Sequence, residues 1–248
     1  MAITIVGSIT PVVSPASTDV TFINGQHTTT SDTDLLLCCV AVEGNENPSP
    51  TNPCRFDLSG SDTALTLISD SLSTGSNAGV RTLIYGMVSP GAVTDAQVRF
   101  SVEFSANPFA HVWVNISGTV TTSLAAATND LEQVFGDTVG STTVFASAGG
   151  TGNGLLVWGA AQGNDMAPSS TGVTFTKQVG TSTGATTSDL SVILSTLVSG
   201  APSAVTITWN TTDENGGNLI ELLPAASTNL LPDYSGTRGI MRGVGRGI

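Results

Sequence analysis

Apolar and polar residues alternate along most of the chain, in short runs that end at Gly, Pro, Asn or Asp. Such runs begin at Asp19 (DVTFIN), Ala64 (ALTLIS), Ala96 (AQVRFSVEF), His111 (HVWVNISGTV) and Ala204 (AVTITWN). Because side chains on a strand point to opposite faces in turn, each run predicts a β-strand with one buried face. Two further runs, DLLLCCVAV from Asp34 and GLLVWGAA from Gly154, are apolar throughout and predict central strands that are buried on both faces.

The two fully apolar runs also open the two copies of an internal repeat. In each copy the buried strand is followed by an Asn-rich acidic turn with Pro, a strand ending in VSPG or VSG, an alternating strand and a closing apolar strand. The period of roughly 110 residues is the size of one β-sandwich domain. The chain is therefore predicted to be all-β, with two tandem antiparallel β-sandwich domains at residues 19–120 and 141–226.

Alternate positions of these strands define the predicted core. The residues expected to be buried are Leu36, Cys38, Val40, Phe100, Val102, Leu156, Trp158, Ile207 and Trp209.

Two segments are predicted to lie outside or between the sandwiches. Residues 1–18 are expected to be an extended N-terminal arm, and residues 121–140 a linker. Leu124, Leu131, Val134 and Phe135 in the linker are spaced for one short amphipathic turn of helix, with Asn129 or Asp130 as its cap.

Composition agrees with strands and restricts the possible partners. Charged residues make up 10% of the chain, hydrophobic residues 40%, and there are 28 Gly, which favours strands joined by turns. The net charge is −12, so the body is expected to repel nucleic acid and anionic membranes.

The N-terminal stretch has no basic residue before its apolar ones, and no apolar run approaches the roughly 18 residues needed to cross a bilayer. We therefore expect no signal peptide, no membrane contact and synthesis in a cytoplasm.

The order of strands resembles a known structural family. SDTDLLLCCVAVEG, a turn with Pro, VRTLIYGMVSPG, an alternating strand and a closing strand such as VTITWNTTDENGGNLIELLPA are similar to a jelly-roll-like β-sandwich unit of tailed-bacteriophage structural proteins. In head-surface and tail-fibre proteins that unit is often duplicated. The resemblance covers residues 19 to 226 and implies two tandem jelly-roll-like sandwiches in a virion. CRFDLSG stands where the family pattern has a Trp-containing strand.

Residues that carry catalytic chemistry are sparse. His27 and His111 lie far apart in separate elements and do not form a local metal-binding pair. His111 alternates with Trp113 and Asn115, and it is predicted to be a half-exposed strand residue. No nucleophile elbow, phosphate-binding loop or dinucleotide fingerprint occurs. We therefore predict a protein without enzymatic activity, catalytic residues or cofactors.

Carboxylates gather with Asn and Gly in the predicted turns, which have two interpretations. Their oxygens suit calcium, and the candidate ligands are Glu43, Glu46, Asp165, Asp213 and Glu214. The same residue types are those that tight turns require, and their spacing is not that of the twelve-residue calcium loop. Solvated turns are the preferred interpretation, and no metal site is predicted.

The three cysteines are interpreted as small buried hydrophobes. Cys38 and Cys39 are neighbours on a predicted strand and must point to opposite faces, so both cannot join one bridged network with Cys54. Free cysteine is among the most buried residue types. We therefore expect all three side chains to be buried.

The composition of the C-terminal tail, residues 227–248, indicates what kind of protein it binds. It holds three of the seven basic residues, whereas all nineteen acidic residues precede its last fourteen positions. Its predicted partner-binding residues are Arg238, Arg242, Arg246, Ile240, Met241 and Ile248. Arginine offers charge pairing, the apolar residues offer anchors, and glycine lets the backbone approach a surface closely. The expected partner is an acidic copy of the chain or another virion protein, in the capsid or the tail.

These features predict a non-enzymatic virion structural protein of a bacteriophage, a homo-oligomer that serves as head decoration or as a tail or fibre component. The alternative is a carbohydrate-binding or adhesive module for host-surface glycans, with loop tips as its rim. In that alternative Trp113, Trp158 or Trp209 would provide a stacking platform. All three lie inside predicted strands, which favours core packing.

Overall fold

The protein is described by a computed structural model at residues 2–13, 22–43, 47–58, 60–71, 79–103, 109–135, 139–146, 149–152, 154–163, 168–171, 174–181, 190–198 and 204–226. These residues are all-β apart from one short helix, as predicted. The strands are β1 (Thr4–Val13), β2 (Phe22–Thr29), β3 (Leu35–Glu43), β4 (Cys54–Leu58), β5 (Ser61–Ala64), β6 (Thr66–Asp70), β7 (Val80–Val88), β8 (Val93–Ser101), β9 (Phe109–Ser117), β10 (Thr128–Val134), β11 (Val139–Phe145), β12 (Leu155–Gln162), β13 (Pro168–Thr171), β14 (Thr174–Thr181), β15 (Leu190–Val198) and β16 (Val205–Leu222). The helix is α1 (Leu124–Ala127).

The first half of the chain forms two antiparallel sheets. One has five strands in the order β1-β9-β3-β7-β6, and the other has four in the order β2-β8-β4-β5. At the centre of the five-stranded sheet, β3 pairs with β9 on one side and β7 on the other. Residues 35–42 are all buried, which confirms that this apolar run is covered on both faces.

The second half uses one long strand in two sheets. The C-terminal part of β16, residues 215–222, pairs with β12 in the order β10-β16-β12-β15-β14. The N-terminal part of the same strand pairs with β11 and β13. The alternating strand and the closing strand predicted from the sequence are therefore one continuous strand here.

The two halves repeat one strand order. In the five-stranded sheets, β1, β9, β3, β7 and β6 occupy the same places as β10, β16, β12, β15 and β14. In the outer sheets, β2, β8 and β4 correspond to β11, the N-terminal part of β16 and β13. The predicted repeat is confirmed at the level of strand order. The jelly-roll assignment of each half stays a prediction.

Three apolar cores separate the sheets. The first core lies between the two sheets of the first half: Leu36, Cys38, Val40, Val42, Cys54, Phe56, Leu65, Leu83, Tyr85, Ala96, Val98, Phe100, Val102, Phe109 and Trp113. The second core lies within the second half: Phe145, Leu156, Trp158, Ala160, Val205, Ile207, Trp209 and Leu219. The central core lies between the two five-stranded sheets: Leu35, Leu37, Cys39, Ala41, Val80, Ile84, Ala110, Val112, Val114, Ile116, Val157, Ala161, Ile220 and Leu222. All nine residues predicted to be buried are buried.

Across the central core the two five-stranded sheets pack face to face with reciprocal contacts. The edge strand β1 lies beside β14, and the opposite edge strand β6 lies beside β10. Likewise β9 lies against β15, and β7 lies against β16. In each case, when a strand of the first half contacts a strand of the second half, the counterparts of these two strands also contact each other. The halves are therefore related as in an isologous two-fold pair, within one chain.

Residues 4–13, predicted to belong to an N-terminal arm, are strand β1 of the first five-stranded sheet. The register against β9 shifts between Val6 and Thr10, where Gly7 has a φ of 68°. The bulge and Pro11 interrupt the period of two residues, so the strand does not show in the pattern. The first repeat therefore begins at β1 rather than at residue 19.

The predicted linker contains structure that joins the sheets. Of the four residues assigned to a helical turn only Leu124 is helical, in α1, whereas Leu131 and Val134 lie in β10. The cap of α1 is Ser123, whose side chain accepts a hydrogen bond from the Ala126 amide. The predicted caps Asn129 and Asp130 are wrong, because both lie in β10 and pair with β16. Strand β10 is the edge of the second five-stranded sheet in the part of the chain that is described.

Candidate functional site

The predicted partner-binding residues lie outside the described residues: Arg238, Arg242, Arg246, Ile240, Met241 and Ile248. The structure does describe how the chain runs towards them. The Leu223 amide donates to the Ala127 carbonyl at 2.8 Å, and the Ala225 amide donates to the Gly118 carbonyl at 2.9 Å. The described chain therefore passes the end of α1 at Leu223 and lies beside Gly118, just after β9, at Ala225.

An open groove with a volume of about 300 Å³ lies next to α1, between the edges of the two five-stranded sheets. We call it the edge groove. Its lining residues are Thr66, Leu67, Ile68, Leu124, Ala125, Thr128, Asn129 and Asp130. One wall is the edge strand β6 and the other is the start of β10 with α1, so each half of the chain contributes one side.

The edge groove combines an apolar floor with an acidic rim. Ile68 and Leu124 are partly buried and pack against the central core. Leu67 is 43% exposed, which is unusual for a large apolar side chain in this protein. On the rim Asp130 is exposed, and its carboxylate accepts a hydrogen bond from Gln133 Nε2 at 2.7 Å. The groove therefore suits a ligand with apolar side chains next to a cation.

Close to the edge groove, a polar cluster fixes the two sheets against each other. Ser69 Oγ donates to Asn218 Oδ1 at 3.1 Å, and Asn218 Nδ2 donates to Thr82 Oγ1 at 2.9 Å. Gln133 Nε2 donates to Ser69 Oγ at 3.4 Å. Asn218 belongs to the second half, is fully buried and is hydrogen-bonded to residues of the first half. A satisfied buried network of this kind fixes one relative placement of the sheets, since displacement would leave polar groups unpaired.

The prediction that His111 is half-exposed is wrong. His111 is fully buried, and its Nδ1 accepts a hydrogen bond from Trp113 Nε1 at 2.6 Å. The cause is the position of β9, which lies between the first core and the central core and has both faces covered.

All three tryptophans are core residues, as the strand pattern favoured. Trp113 belongs to the first core, and Trp158 and Trp209 belong to the second core. Trp209 Nε1 donates to Thr143 Oγ1 at 2.9 Å, so the polar edge of its indole is also engaged inside the protein. No tryptophan is available as an exposed platform for stacking a sugar.

Only two of the five candidate calcium ligands have described side chains. Asp213 and Glu214 are neighbours on β16, and the Glu214 amide donates to Asp213 Oδ1 at 2.9 Å. Partial burial, together with a hydrogen bond between the two side chains, raises the pKa of Asp213 to about 6, although the amide hydrogen bond lowers it. The hydrogen bond between the side chains also lowers the pKa of Glu214. Among the residues that the structure describes, no three His, Cys, Asp or Glu side chains are grouped so as to hold a metal ion. Glu43, Glu46 and Asp165 lie where no side chain is described.

The cysteines are free and buried, as predicted. Cys38 and Cys54 belong to the first core, whereas Cys39 points to the central core. Burial raises the pKa of the Cys39 thiol to about 12, and it also raises the pKa of Cys38. These thiols are protonated at neutral pH and act as apolar packing groups.

Comparisons with protein-family models, with curated proteins and with solved structures give no match for this chain. Within the described ranges, no helix has the length and apolar character required to cross a membrane.

Proposed function

We propose that this chain is a non-enzymatic structural protein of a bacteriophage particle, either a head decoration protein or a tail or fibre component. The observation that carries the proposal is the repeated strand order, which stacks two pairs of antiparallel sheets around three apolar cores. Double-sheet jelly rolls, which each half is predicted to form, occur in viral capsid proteins and in lectin domains. In this protein the residue types that usually perform catalysis, such as histidine and cysteine, are used for packing.

Assembly is proposed to involve other copies of the chain or other virion proteins. The body carries four of the seven basic residues and eighteen of the nineteen acidic ones, so a tail with three arginines is complementary to the body of a neighbour. One exposed ion pair contributes only about 0.2–1 kcal/mol. Stable attachment therefore requires several contacts per tail and many tails per particle, which together give avidity.

Exposed apolar side chains offer further contact area. Among the side chains that the structure describes, four large ones have more than two-fifths of their surface in solvent: Leu67, Phe135, Val139 and Val144. They lie on or next to the edge strands β6, β10 and β11. The carbohydrate-binding alternative has no comparable support, because its tryptophan platform is buried.

The proposal is tested with a full-length variant in which Arg238, Arg242 and Arg246 are replaced by Glu. We expect an unchanged melting temperature, because the described cores lie upstream of the tail, and a loss of self-association in sedimentation velocity. The matched control replaces the same arginines by Lys and should retain most of the association, since charge is kept and only the planar guanidinium is lost. Association of the native chain should also weaken as salt rises above roughly 0.15 M.

Two results would contradict the proposal. Normal association of the Arg→Glu variant would show that the tail is not an assembly element. Absence of the chain from purified particles of its host's phages, measured with a gold-labelled antibody, would exclude a place in the virion. Labelling of heads or of tails would decide between decoration and fibre roles.

A further inference from the structure

We infer that the edge groove receives the C-terminal tail of a second copy of this chain. The inference rests on the proposed function, because it takes the tail to be the assembly element. It goes further by naming the surface to which the tail binds and the residues that recognise it.

The first argument is position. Leu223 is hydrogen-bonded to Ala127, the last residue of α1, and α1 contributes Leu124 and Ala125 to the groove. The described chain continues for three residues beyond this contact, and the 22 residues that follow residue 226 can span up to about 70 Å, enough to reach a groove on a second copy. Because each copy carries both a tail and an edge groove, two copies can exchange their tails. The exchange makes two equivalent contacts between the copies.

The second argument is chemical complementarity. The groove presents exposed Leu67 above an apolar floor, with the Asp130 carboxylate on its rim. In the tail, Ile240 and Met241 lie directly between Arg238 and Arg242. In an extended segment Arg238, Ile240 and Arg242 point to one side, so that side matches an apolar floor with an acidic rim: an arginine can bind the carboxylate while Ile240 covers the floor.

The third argument is the open edge of β6. In the described part of the chain, β6 pairs with β7 alone, so its other side presents backbone amides and carbonyls along the groove. An extended segment can add to such an edge through main-chain hydrogen bonds, with alternate side chains entering the groove. Gly239 precedes Ile240, and Gly243 follows Arg242. Both glycines permit the close approach of two backbones that this strand addition requires.

The closing experiment is disulfide trapping in the full-length chain with Leu67→Cys and Ile240→Cys. The native thiols are buried, so the new pair is the reactive one. With oxidised glutathione as oxidant, the two thiols give one disulfide and two molecules of reduced glutathione. We expect a covalent dimer on a non-reducing gel that disappears with reductant. The matched control is Val144→Cys with Ile240→Cys, because Val144 is 47% exposed on β11, and it should give little dimer.

Three outcomes would overturn the inference. A disulfide within one chain would show that each groove holds its own tail. Equal trapping at Val144 would show that the tail has no preference for the groove, and no trapping at Leu67 would show that it does not reach it.

A charge variant separates this inference from the proposed function. Asp130→Arg should weaken self-association roughly tenfold, and combining it with Arg238→Asp and Arg242→Asp should restore most of it. If the tail variants lose association while Asp130→Arg does not, the tail binds elsewhere and only the inference fails. If neither variant changes association, the proposed function fails as well.

Discussion

His27 is a buried titratable residue whose two ring nitrogens both have partners. Its Nδ1 is 2.8 Å from Thr10 Oγ1, and its Nε2 is 3.0 Å from Asn115 Oδ1. Asn115 Nδ2 in turn donates to the Thr28 carbonyl at 2.9 Å. Since an amide oxygen only accepts, Nε2 carries the proton of the neutral ring and Nδ1 accepts from the threonine hydroxyl. The network holds β1, β2 and β9 together at one side of the first core.

We predict that protonation of His27 destabilises the fold. Burial lowers the pKa of His27 below its usual value of 6.5, and the hydrogen bond with Asn115 only partly offsets this. Below pH 6.5 the unfolded chain therefore binds a proton that the folded chain does not. The stability that depends on neutral His27 is complete above pH 6.5 and decreases as the pH falls from 6.5 to the lowered pKa. Urea denaturation between pH 8 and 5 measures this change.

The matched variant for this prediction is His27→Gln, which keeps hydrogen-bonding groups but does not titrate. It should be less stable at neutral pH and should lose less stability on acidification than the native chain. The difference between the two proteins is the informative quantity, because Asp213, with a pKa of about 6, contributes a change of opposite sign. Equal pH dependence of the two proteins would contradict the assignment to His27.

Single residues also show what a sequence pattern leaves open. Alternation correctly places His111, Trp113 and Asn115 on one face of β9, but it does not say that a second sheet covers that face. Burial of His111 depends on the first core, which is built from strands distant in sequence. The cysteines were predictable because adjacent positions on a strand must face two sides, and here both sides are apolar cores.

Strand β16 shows how one element serves two sheets. Its N-terminal part alternates between buried and less buried residues, as a strand with one covered face does. From Asn215 onward every residue is buried, because that part lies between the second core and the central core. Gly217 lies in this second part, where a Cβ would be 2.7 Å from Phe145 Cζ and 2.9 Å from the Gly159 carbonyl oxygen.

We predict that Gly217→Ala destabilises the protein by about 1–3 kcal/mol, because the added methyl group overpacks the contact with a backbone carbonyl. The matched control is Gly149→Ala, where a Cβ would meet no atom within 4 Å. That substitution should be neutral or stabilise by up to about 1 kcal/mol, since it restricts the unfolded chain. Urea denaturation of both variants gives the comparison. A Gly217→Ala variant as stable as the Gly149→Ala variant would contradict the close packing at β16.

Strands with an uninterrupted pattern were predictable, whereas β1 and β10, whose patterns are broken by bulges, were not. The apolar runs gave β3 and β12 with their two buried faces, because central strands need no polar side. By contrast, β1 contains a bulge at Gly7 and also Pro11, and β10 shifts register between Asp130 and Glu132. Each bulge moves later side chains by one position, so an alternating pattern is lost although the strand continues. The edge groove was missed for the same reason, since β10 forms one of its walls.

At the scale of the whole molecule, the central core joins the two halves more closely than a linker does. It draws Ile84 from the first half and Val157 and Ile220 from the second. A Cβ on Gly159 of the second half would be 3.5 Å from Ile84 Cγ1, which shows how closely the two sheets approach. The sequence predicted the two faces of β3 and β12, but not that these faces meet each other, because apolarity alone does not specify the partner of a surface.

We therefore predict that the two halves unfold together. Native-state hydrogen exchange followed by mass spectrometry should give the same free energy of opening for peptides from β3 and from β12, because neither strand can open without exposing the central core. Ile84→Ala should lower both values equally, by about 2–5 kcal/mol, because it leaves a cavity that both halves line. The control is Val98→Ala in the first core, which contacts only the first half. If the halves unfold together, Val98→Ala should also lower the free energy of opening measured for β12, although β12 does not line the first core. If either variant lowers the free energy of opening for β3 alone, the two halves unfold independently. The central core would then be a contact surface between two separately stable units.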